Sequence, residues 1–586
     1  MSLYKDASLA MIPTAYKDGK LYSVRPTDGS GDFTFSRGSN LSATRVDASQ
    51  LIEKGRENLL LYSNDFSNAA WSTSPITLTS GQSGYDGSND AWEAEVAVNG
   101  NYQSVIQATN TSGLITNSIY AKAGNSNFLG ITDSGGSGGS NCIFNLTDGS
   151  ISYQNGGDFI ETSSESIGNG WYRLKVTHQG TSPNYMLWFV ANASNSTGGT
   201  AGDSVFIQDS QQENSLVATP YIESGATTGK AGILENTPRF DYSGGATCPS
   251  LLLEPSRTNS HPYSEYLEDA YWLKYQCSIT ANQAVSPDGY NNASLFTANV
   301  SGVNVIYRSS VSYGALSFFA KADNLSAGAR FHIAVDTIGS ANWNQDGTLY
   351  SQSGGLVSAT DGEDYGNGWY RFTYVVGSGS VQNFGLSNST SGDTCHIWGV
   401  QSEPSASYAT SYIPNHGTSG GVTRAADSCI SSSLTTSTDF TIFFEAKDFC
   451  LINGSTGGSY DDVQFAFSAS GAPYDVGGSY HIYGNSLYYY NGSTNTSFGL
   501  IYNNQTDSKF ALVKRGNQGI VYANGVKKTE LTLPSGADAK VINWDAINLT
   551  SSLTDGQGDV FGSKYQQLLK FDTALSDSEL ASLTTI

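Results

Sequence analysis

Pairs of carboxylates are the first residues to test for chemistry, because glycoside hydrolysis needs two acids that face each other across a cleft. Residues 361–364 read Asp-Gly-Glu-Asp, and residues 461–462 are a second acidic pair. Residues 161–165, Glu-Thr-Ser-Ser-Glu, also precede an Asn-Gly-Trp turn but do not reproduce the spacing. We therefore interpret these acids as solvated loop residues, and the sequence predicts no catalytic residue.

Other catalytic and ligand-binding patterns are missing from the sequence. The six histidines are scattered, and neither a GxSxG elbow nor an HExxH motif occurs. The six cysteines are widely spaced without a CxxC pair, which favours buried thiols over metal ligands or a disulfide framework. We predict no metal site and no cofactor, while a structural Ca²⁺ held by loop carboxylates stays an open alternative.

Carbohydrate binding is the chemistry that the residue types support best, because sugars stack on aromatic rings and accept hydrogen bonds from amides. The chain contains 35 Tyr, 25 Phe and 9 Trp. Tyr488, Tyr489, Tyr490 and Asn491 form a compact cluster followed by glycine. We predict a carbohydrate-binding patch there, with strand packing or an assembly contact as the alternative.

The charge balance argues against two classes of partner. The formal net charge is -23, so the basic surface that nucleic acid or an anionic membrane requires is missing. No run approaches the roughly 18 apolar residues of a membrane span. The first residues, MSLYKDASLAMIP, lack the basic and apolar regions of a signal peptide, so we expect none.

Composition predicts an all-β protein of several domains. The chain has 65 Gly and only 14% charged residues over 586 positions, which favours short strands and tight turns over helices. At roughly 100 to 200 residues per domain, three or four domains are expected.

An internal duplication is the strongest pattern in the sequence. Groups of residues recur in the same order, and the spacing between them changes only by loop-sized amounts. The matched groups are 56–63 with 257–264, 118–123 with 317–322, 168–173 with 366–371, 202–213 with 392–403, and 218–222 with 409–413. We predict two jelly-roll β-sandwich modules, over residues 46–225 and 226–418.

The matched groups contain residues with structural roles. Trp171 and Trp369 follow Asn-Gly turns at strand starts, and with Trp71 and Trp272 they are predicted to be core residues rather than sugar platforms. Each copy also has a matched arginine that is expected to form a scaffold ion pair with one of two acids of the same module. The arginines are Arg173 and Arg371, and the acids are Asp203 or Glu213 in the first copy and Asp393 or Glu403 in the second.

Residues 419–586 follow a different pattern of alternating strands. Val521 to Val526 read as a hairpin with an Asn-Gly turn, and Ser576 with Glu579 predicts a capped helix. The VxYANG hairpin followed by FDTALSDSELASL resembles the laminin-G/concanavalin A-like sandwich, which implies a third, lectin-like domain.

The whole chain resembles tail-fibre and other virion appendage proteins of tailed bacteriophages. The resemblance lies in the opening SLAMIPTAYKDGKLYSVRPTDGSGDFTFSRGSNLSATRVD, in PRFDYSGGATCPSLLLEPSRTN and in the YIP…VTRAAD connector. It implies a location on the virion surface, and residues 1–45 are then expected to be an arm or small region that docks on other virion proteins. Proteins of this kind are often trimers, although no heptad pattern enforces one here.

These expectations lead to three functional hypotheses. The first is a virion structural protein, such as a tail or head fibre or a capsid decoration, that attaches to host-surface glycans. The second is a tailspike enzyme that depolymerises polysaccharide. The third is an architectural cement or fibre protein without a ligand.

Overall fold

The structure is a computed structural model of the chain. It describes residues 3–39, 41–133, 139–156, 159–180, 182–309, 311–312, 314–335, 338–354, 357–377, 379–406, 408–431, 438–447, 463–468, 479–483, 486–490, 495–500, 508–533, 546–548 and 563–585.

The predicted all-β class is confirmed. Within the described residues, one α-helix occurs, Asp577–Thr584, besides a 3₁₀ turn at Leu3–Asp6. Ser576 caps the helix as predicted, because its hydroxyl accepts from the Glu579 N–H while the Glu579 side chain accepts from the Ser576 N–H. No described helix has the length and apolar character needed to cross a membrane.

The first module is a sandwich of two six-stranded antiparallel sheets. Its core contains the tryptophans Trp71 and Trp188. One sheet has the spatial order Phe159–Gly168, Trp171–Gly180, Gly113–Ala123, Ser204–Glu213, Ala91–Val96 and Ile76–Gln82. The other has the order Ile151–Asn155, Asn141–Asn145, Phe128–Thr132, Asn184–Ala191, Ser104–Thr109 and Ser72–Ser74.

The second module repeats this strand order. One sheet runs Val357–Ala359, Trp369–Val376, Gly314–Asn324, Thr394–Pro404, Ala293–Ala298 and Cys277–Ala284, with Glu363–Asp364 also beside Trp369–Val376. The other runs Leu349–Gln352, Gly339–Trp343, Arg330–Val335, Val381–Ser389, Gly302–Ser309 and Leu273–Tyr275. The equivalent order of strands shows that the duplication in sequence is a duplication of fold.

The third sandwich has two larger sheets. One contains Arg239–Asp241, Ser250–Leu253, Ser563–Phe571, Phe440–Lys447, Ser508–Arg515, Gln518–Ala523 and Val526–Thr532 in this order, with Leu9–Met11 also paired to Ser563–Phe571. The other contains Tyr16–Lys17, Lys20–Leu21, Phe33–Ser36, Ser428–Ser431, Ala546–Asn548, Val463–Ser468, Ser479–Tyr483, Ser486–Tyr490 and Asn495–Leu500.

Four short two-stranded ladders complete the described strands. They are Thr44–Val46 with Ile52–Lys54, Arg56–Asn58 with Gly229–Ala231, Gly100–Asn101 with Gly198–Gly199, and Arg257–Asn259 with Val422–Arg424. The ladder of Arg56–Asn58 with Gly229–Ala231 joins the two ends of the first module, and that of Arg257–Asn259 with Val422–Arg424 joins the two ends of the second. In each module, the chain therefore enters from the third sandwich and returns to it at neighbouring positions.

The prediction of a separate arm over residues 1–45 is wrong. Leu9–Met11 pairs with the C-terminal strand Ser563–Phe571, and Phe33–Ser36 pairs with Ser428–Ser431. Leu9 and Phe33 are fully buried in the core of the third sandwich. The N-terminal segment is therefore part of that domain, because its apolar side chains are buried only there.

The predicted domain boundaries are displaced for the same reason. The strands Arg239–Asp241 and Ser250–Leu253, which we expected in the second module, pair with each other and with Ser563–Phe571. The third sandwich is thus assembled from three separate pieces of the chain. The two modules are insertions between those pieces rather than units that precede it.

A buried ion network joins the three pieces. Arg37 Nη1 lies 3.0 Å from Asp427 Oδ1, and Arg239 Nη1 lies 2.7 Å from Glu254 Oε2. Arg239 also contacts Asp427, and Arg424 Nη1 lies 3.0 Å from Glu254 Oε2. All five side chains are buried, so each charge depends on the others for compensation. The network fixes the points at which the chain enters and leaves the two modules.

Candidate functional site

The predicted tyrosine patch is only partly described by the structure. Tyr488, Tyr489 and Tyr490 lie on the strand Ser486–Tyr490, and Asn491 lies outside the described residues. Tyr489 is 1% exposed and packs in the core of the third sandwich. Its ring therefore offers no face to a sugar, and that part of the prediction is wrong. Binding by Tyr488 and Tyr490 stays a prediction, because the description does not extend to their side chains.

The predicted core role of the matched tryptophans is confirmed in both modules. Trp71, Trp171, Trp272 and Trp369 are all buried. Trp71 Nε1 donates to the Tyr62 carbonyl at 2.9 Å, and Trp272 Nε1 donates to the Tyr263 carbonyl at the same distance. Trp71 and Trp272 pack in the main cores of the two sandwiches, whereas Trp171 and Trp369 are buried in smaller separate clusters. Because all four are buried, they are not stacking platforms for a sugar.

The expected ion pairs of the matched arginines are not formed. Arg173 Nη2 donates to Ser118 Oγ at 3.0 Å and to the Thr219 carbonyl at 2.6 Å. In the second module Arg371 Nη2 donates to Ser317 Oγ at 3.0 Å. Each arginine thus ties neighbouring strands through neutral acceptors, a role that the spacing of residues alone could not distinguish from an ion pair.

The carboxylates singled out in the sequence are engaged by local structure. Asp361 Oδ1 accepts from the Leu349 N–H at 2.7 Å, and Asp364 Oδ1 accepts from the Gly366 N–H at 2.7 Å. Glu165 pairs with Lys175 at 2.6 Å. Glu165 and Asp364 lie on the strands Phe159–Gly168 and Glu363–Asp364, so the interpretation as loop residues is wrong for these two acids. The acidic pair at 461–462 lies outside the described residues.

The expectation of buried thiols is confirmed for four of the five cysteines that the structure describes. Cys142, Cys277, Cys395 and Cys429 are buried free thiols, whereas Cys248 is exposed. Burial raises the pKa of the Cys142 thiol to about 12. Among the described residues, no group of three or more His, Cys, Asp or Glu side chains could hold a metal ion.

A groove on the outer face of the second module is the best candidate site. It crosses the sheet that contains Leu273–Tyr275, Gly302–Ser309, Val381–Ser389 and Arg330–Val335, and it has a cavity volume of about 320 Å³. Its lining residues are Tyr275, Val303, Val305, Tyr307, His332, Ala334, Val381 and Asn383. A surface of aromatic rings, small apolar groups, one imidazole and one amide suits a sugar.

Tyr275 supplies the most accessible ring of the groove. Its side chain is 51% exposed, and it pairs across the ladder with Val305, which is buried. Tyr307 lies on the adjacent strand and pairs with Leu273. The two rings thus stand at diagonal positions on neighbouring strands, within reach of one ligand.

His332 lies on the floor of the groove as a neutral imidazole. Its Nδ1 lies 2.8 Å from Asn342 Oδ1, which also accepts from Ser387 Oγ at 2.6 Å. Because that amide oxygen can only accept, Nδ1 carries the proton and Nε2 is left as an acceptor. Burial lowers the pKa of His332 below its usual value, opposed by the hydrogen bond to Asn342. The neutral form is therefore favoured.

On the same face of the first module, a large side chain occupies the equivalent position. In the second module, Gly385 pairs with Val305 on one side and with His332 on the other. Phe189 has the equivalent position in the first module, where it pairs with Ser104 and Gly130. Phe189 is fully buried in an apolar cluster with Ile143, Leu187 and Ala191, and partly buried rings cover it. Side chains of the first copy fill the space that the second copy leaves open.

This difference was missed in the sequence comparison. Aligning the two copies on Trp71 and Trp272 makes Ser74 equivalent to Tyr275. From these positions the ladders make Leu187 equivalent to Asn383, and Phe189 equivalent to Gly385. In the sequence, the open groove is indicated by polar or small residues in the second copy at positions where the first copy has large apolar ones. It could be recognised only once the outward-facing positions were known.

A second cleft lies between the second module and the third sandwich. It has a volume of 570 Å³ and is lined by Asp241, Glu363 and Lys564 among others. Lys564 Nζ lies 3.7 Å from Asp241 and 3.9 Å from Glu363, and donates to Ser243 Oγ at 2.6 Å. The ammonium group separates the two acids, so we assign this cleft a structural role at the domain contact.

Comparisons with known proteins give no family. No protein-family model matches the chain, and no curated protein matches it. Among solved structures, the carbohydrate-binding module CBM40 of a Ruminococcus gnavus IT-sialidase, bound to alpha2,3 sialyllactose, is 16% identical, with a TM-score of 0.21 over 27% of this chain and 87% of that one. The CBM22-1–CBM22-2 tandem of Paenibacillus barcinonensis Xyn10C is 9% identical, with a TM-score of 0.20 over 63% of this chain and 100% of that one. Likenesses this weak carry no argument about what this chain binds.

Proposed function

We propose that this protein is a structural appendage of a bacteriophage virion, a tail or head fibre or a capsid decoration, that binds host-surface carbohydrate through the second module. The observation that carries the binding part is the groove on the outer face of that module, which is open where the first module is filled. The location on the virion is supported by the resemblance of the opening, central and connector sequences to phage appendage proteins.

The lining of the groove favours an uncharged sugar ligand. It contains two tyrosines, a neutral histidine and an asparagine, and none of its lining residues is a lysine, arginine, aspartate or glutamate. A tyrosine ring contacts the apolar face of a sugar, while His332 Nε2 accepts a hydrogen bond from a sugar hydroxyl. Asn383 donates to the Ala334 carbonyl at 3.2 Å, and its amide oxygen is an acceptor for a ligand hydroxyl.

The binding part is tested by glycan arrays and titration calorimetry with the full chain. Tyr275→Ala is expected to weaken binding about tenfold, since each factor of ten corresponds to ~1.4 kcal/mol. Tyr275→Phe keeps the ring and is expected to keep most of the affinity. The matched control is Ser74→Ala, which changes the corresponding exposed position of the first module. Equal binding by Tyr275→Ala and the unaltered chain would exclude this groove.

The location is tested separately by mass spectrometry and cryo-electron microscopy of purified particles. The chain is expected in stoichiometric amounts at the head or tail surface, in contact with other virion proteins. Light scattering of the isolated protein tests the predicted trimer. Absence from particles would overturn the virion part and leave the groove to be judged by the binding measurements.

The other two hypotheses, an architectural protein and a polysaccharide depolymerase, predict different experimental results. An architectural protein would be present on particles while every glycan fails to bind. A depolymerase would release reducing ends from host polysaccharide, and the proposal expects no such release from the purified chain.

A further inference from the structure

The outer face of the second module continues beyond the groove to another exposed aromatic residue, Tyr350. This residue is 58% exposed and lies on Leu349–Gln352, the edge strand opposite Leu273–Tyr275. The Arg330 guanidinium carbon lies 3.6 Å from the centre of the Tyr350 ring, and Arg330 Nη1 donates to the Gly328 carbonyl at 2.6 Å. The arginine supports one face of the ring and leaves the other accessible.

A polar strip lies between Tyr350 and the tyrosines of the groove. Besides the contact with His332, Asn342 accepts from Ser387 and donates through Nδ2 to Ser351 Oγ at 3.2 Å. These side chains hold one another in fixed positions across neighbouring strands. The face therefore presents aromatic rings at its two ends and hydrogen-bonding groups in its middle.

One row of ladder partners connects the two ends. Each residue of the row faces its neighbour on the next strand, and the row crosses all six strands of the sheet. The row is Tyr275, Val305, Gly385, His332, Asn342 and Ser351. With strands about 4.8 Å apart, five intervals give a length of about 24 Å.

We propose that this face binds an internal stretch of a linear polysaccharide that lies across the strands, with sugar rings stacked on Tyr275 and Tyr350 and hydroxyls bonded to the polar strip. The proposal rests on the proposed function and adds the class of ligand to it. The row ends at an edge strand on both sides, so a chain can continue past it in both directions. A site for a terminal sugar would instead be closed around the chain end.

The first module supplies a matched comparison. There Tyr153, on the edge strand Ile151–Asn155, packs against the cluster around Ile143 and Phe189 instead of standing on an arginine. The corresponding row of the first module is Ser74, Ser104, Phe189, Gly130, Ile143 and Tyr153, so large side chains fill its middle and one end. Tyr153 takes the ladder position of Ser351, next to Tyr350, and Tyr153→Ala is therefore the control on the equivalent edge strand.

The experiment measures binding of the full chain to size-fractionated fragments of neutral linear xylan, mannan and β-glucan, together with the polysaccharide of any array-positive host strain. Affinity is expected to rise with fragment length until fragments span about 24 Å. Tyr350→Ala is expected to remove this gain, about tenfold or ~1.4 kcal/mol, while short fragments bind it as before. Tyr275→Ala should weaken binding of fragments of every length.

The possible outcomes separate the two proposals. If short fragments bind as tightly as long ones and Tyr350→Ala changes nothing, the extended site is wrong while the sugar-binding groove stands. If no fragment of any length binds, both are wrong. Tyr350→Phe is expected to retain the length dependence, which excludes a general effect of altering this strand, and Tyr153→Ala should leave binding unchanged.

Discussion

The Ser8 N–H donates to the Lys570 carbonyl at 2.8 Å, which places the first strand of the chain against its last. Leu9, Ala10 and Met11 continue this pairing and are all fully buried. The two inserted modules lie between these partners in sequence. The third sandwich therefore depends on pairing between the strands Leu9–Met11 and Ser563–Phe571.

The N-terminal strand is expected to stabilise the third sandwich directly. Leu9→Ala should lower its free energy of unfolding by about 2–5 kcal/mol, because the fully buried side chain leaves a cavity. Hydrogen exchange of Ser563–Phe571 measures this loss. Lys17→Ala, at an exposed position of the same N-terminal segment, should change stability by less than about 0.5 kcal/mol. Unchanged exchange in Leu9→Ala would contradict the assignment of this strand to the core.

The ion network is expected to govern stability in acid. Burial opposes ionisation of Glu254, but Arg424 and Arg239 hold its pKa well below the usual range. The unfolded chain binds this proton at a higher pH, so the stabilisation is complete above the unfolded pKa of about 4.3 and is lost as the pH falls toward the folded pKa. Glu254→Gln should therefore unfold more readily at neutral pH and show a flatter acid dependence.

The loss of unfolding free energy in Glu254→Gln is expected to exceed the loss caused by removing a surface ion pair. Glu254→Gln leaves Arg239 and Arg424 less compensated and is expected to cost about 3–5 kcal/mol in chemical denaturation. Glu530→Gln removes a partner of Lys527 at a partly exposed position and should cost about 0–1 kcal/mol. Similar losses in the two variants would argue against a special role of the network.

The filled face of the first module is expected to contribute stability rather than binding. Phe189→Ala removes a fully buried ring and should cost about 3–5 kcal/mol, measured by denaturation and by hydrogen exchange of Asn184–Ala191. Its glycan affinity should equal that of the unaltered chain. Ile151→Ala, at an exposed position of the same sheet, provides the control. Loss of binding in Phe189→Ala without loss of fold would place a site in the first module.

Binding at the groove is expected to depend on pH through His332. Because burial lowers its pKa, the imidazole stays neutral down to and below its ordinary pKa of about 6.5. Affinity measured by calorimetry should be constant above that pH and fall only in more acidic solution, where protonated Nε2 can no longer accept. His332→Gln should remove this decline. A decline that persists in His332→Gln would assign it to another group.

Several features were predicted correctly because they depend on local sequence patterns or on comparison of the two internal repeats. Alternation of apolar residues marked the strands, Ser576 and Glu579 marked the helix start, and the repeated Trp-containing groups marked two copies of one fold. The core positions of Trp71 and Trp272 followed from their places in those groups. The arginine contacts could not be predicted, since the sequence does not show which hydroxyls, carbonyls and acids the fold brings next to each guanidinium.

By itself the sequence determined that this protein is built from strands and contains a duplicated sandwich, because strand period, turn residues and repeats need no knowledge of distant contacts. Only the tertiary structure decided that Leu9 pairs with Lys570, since a ladder between the two ends of the chain leaves no local pattern. The tertiary structure also showed where the outer face of one copy is filled by side chains and that of the other is open. Phe189 and Gly385 alternate with core residues in the same way, and only their neighbours on adjacent strands show that one position is filled and the other open.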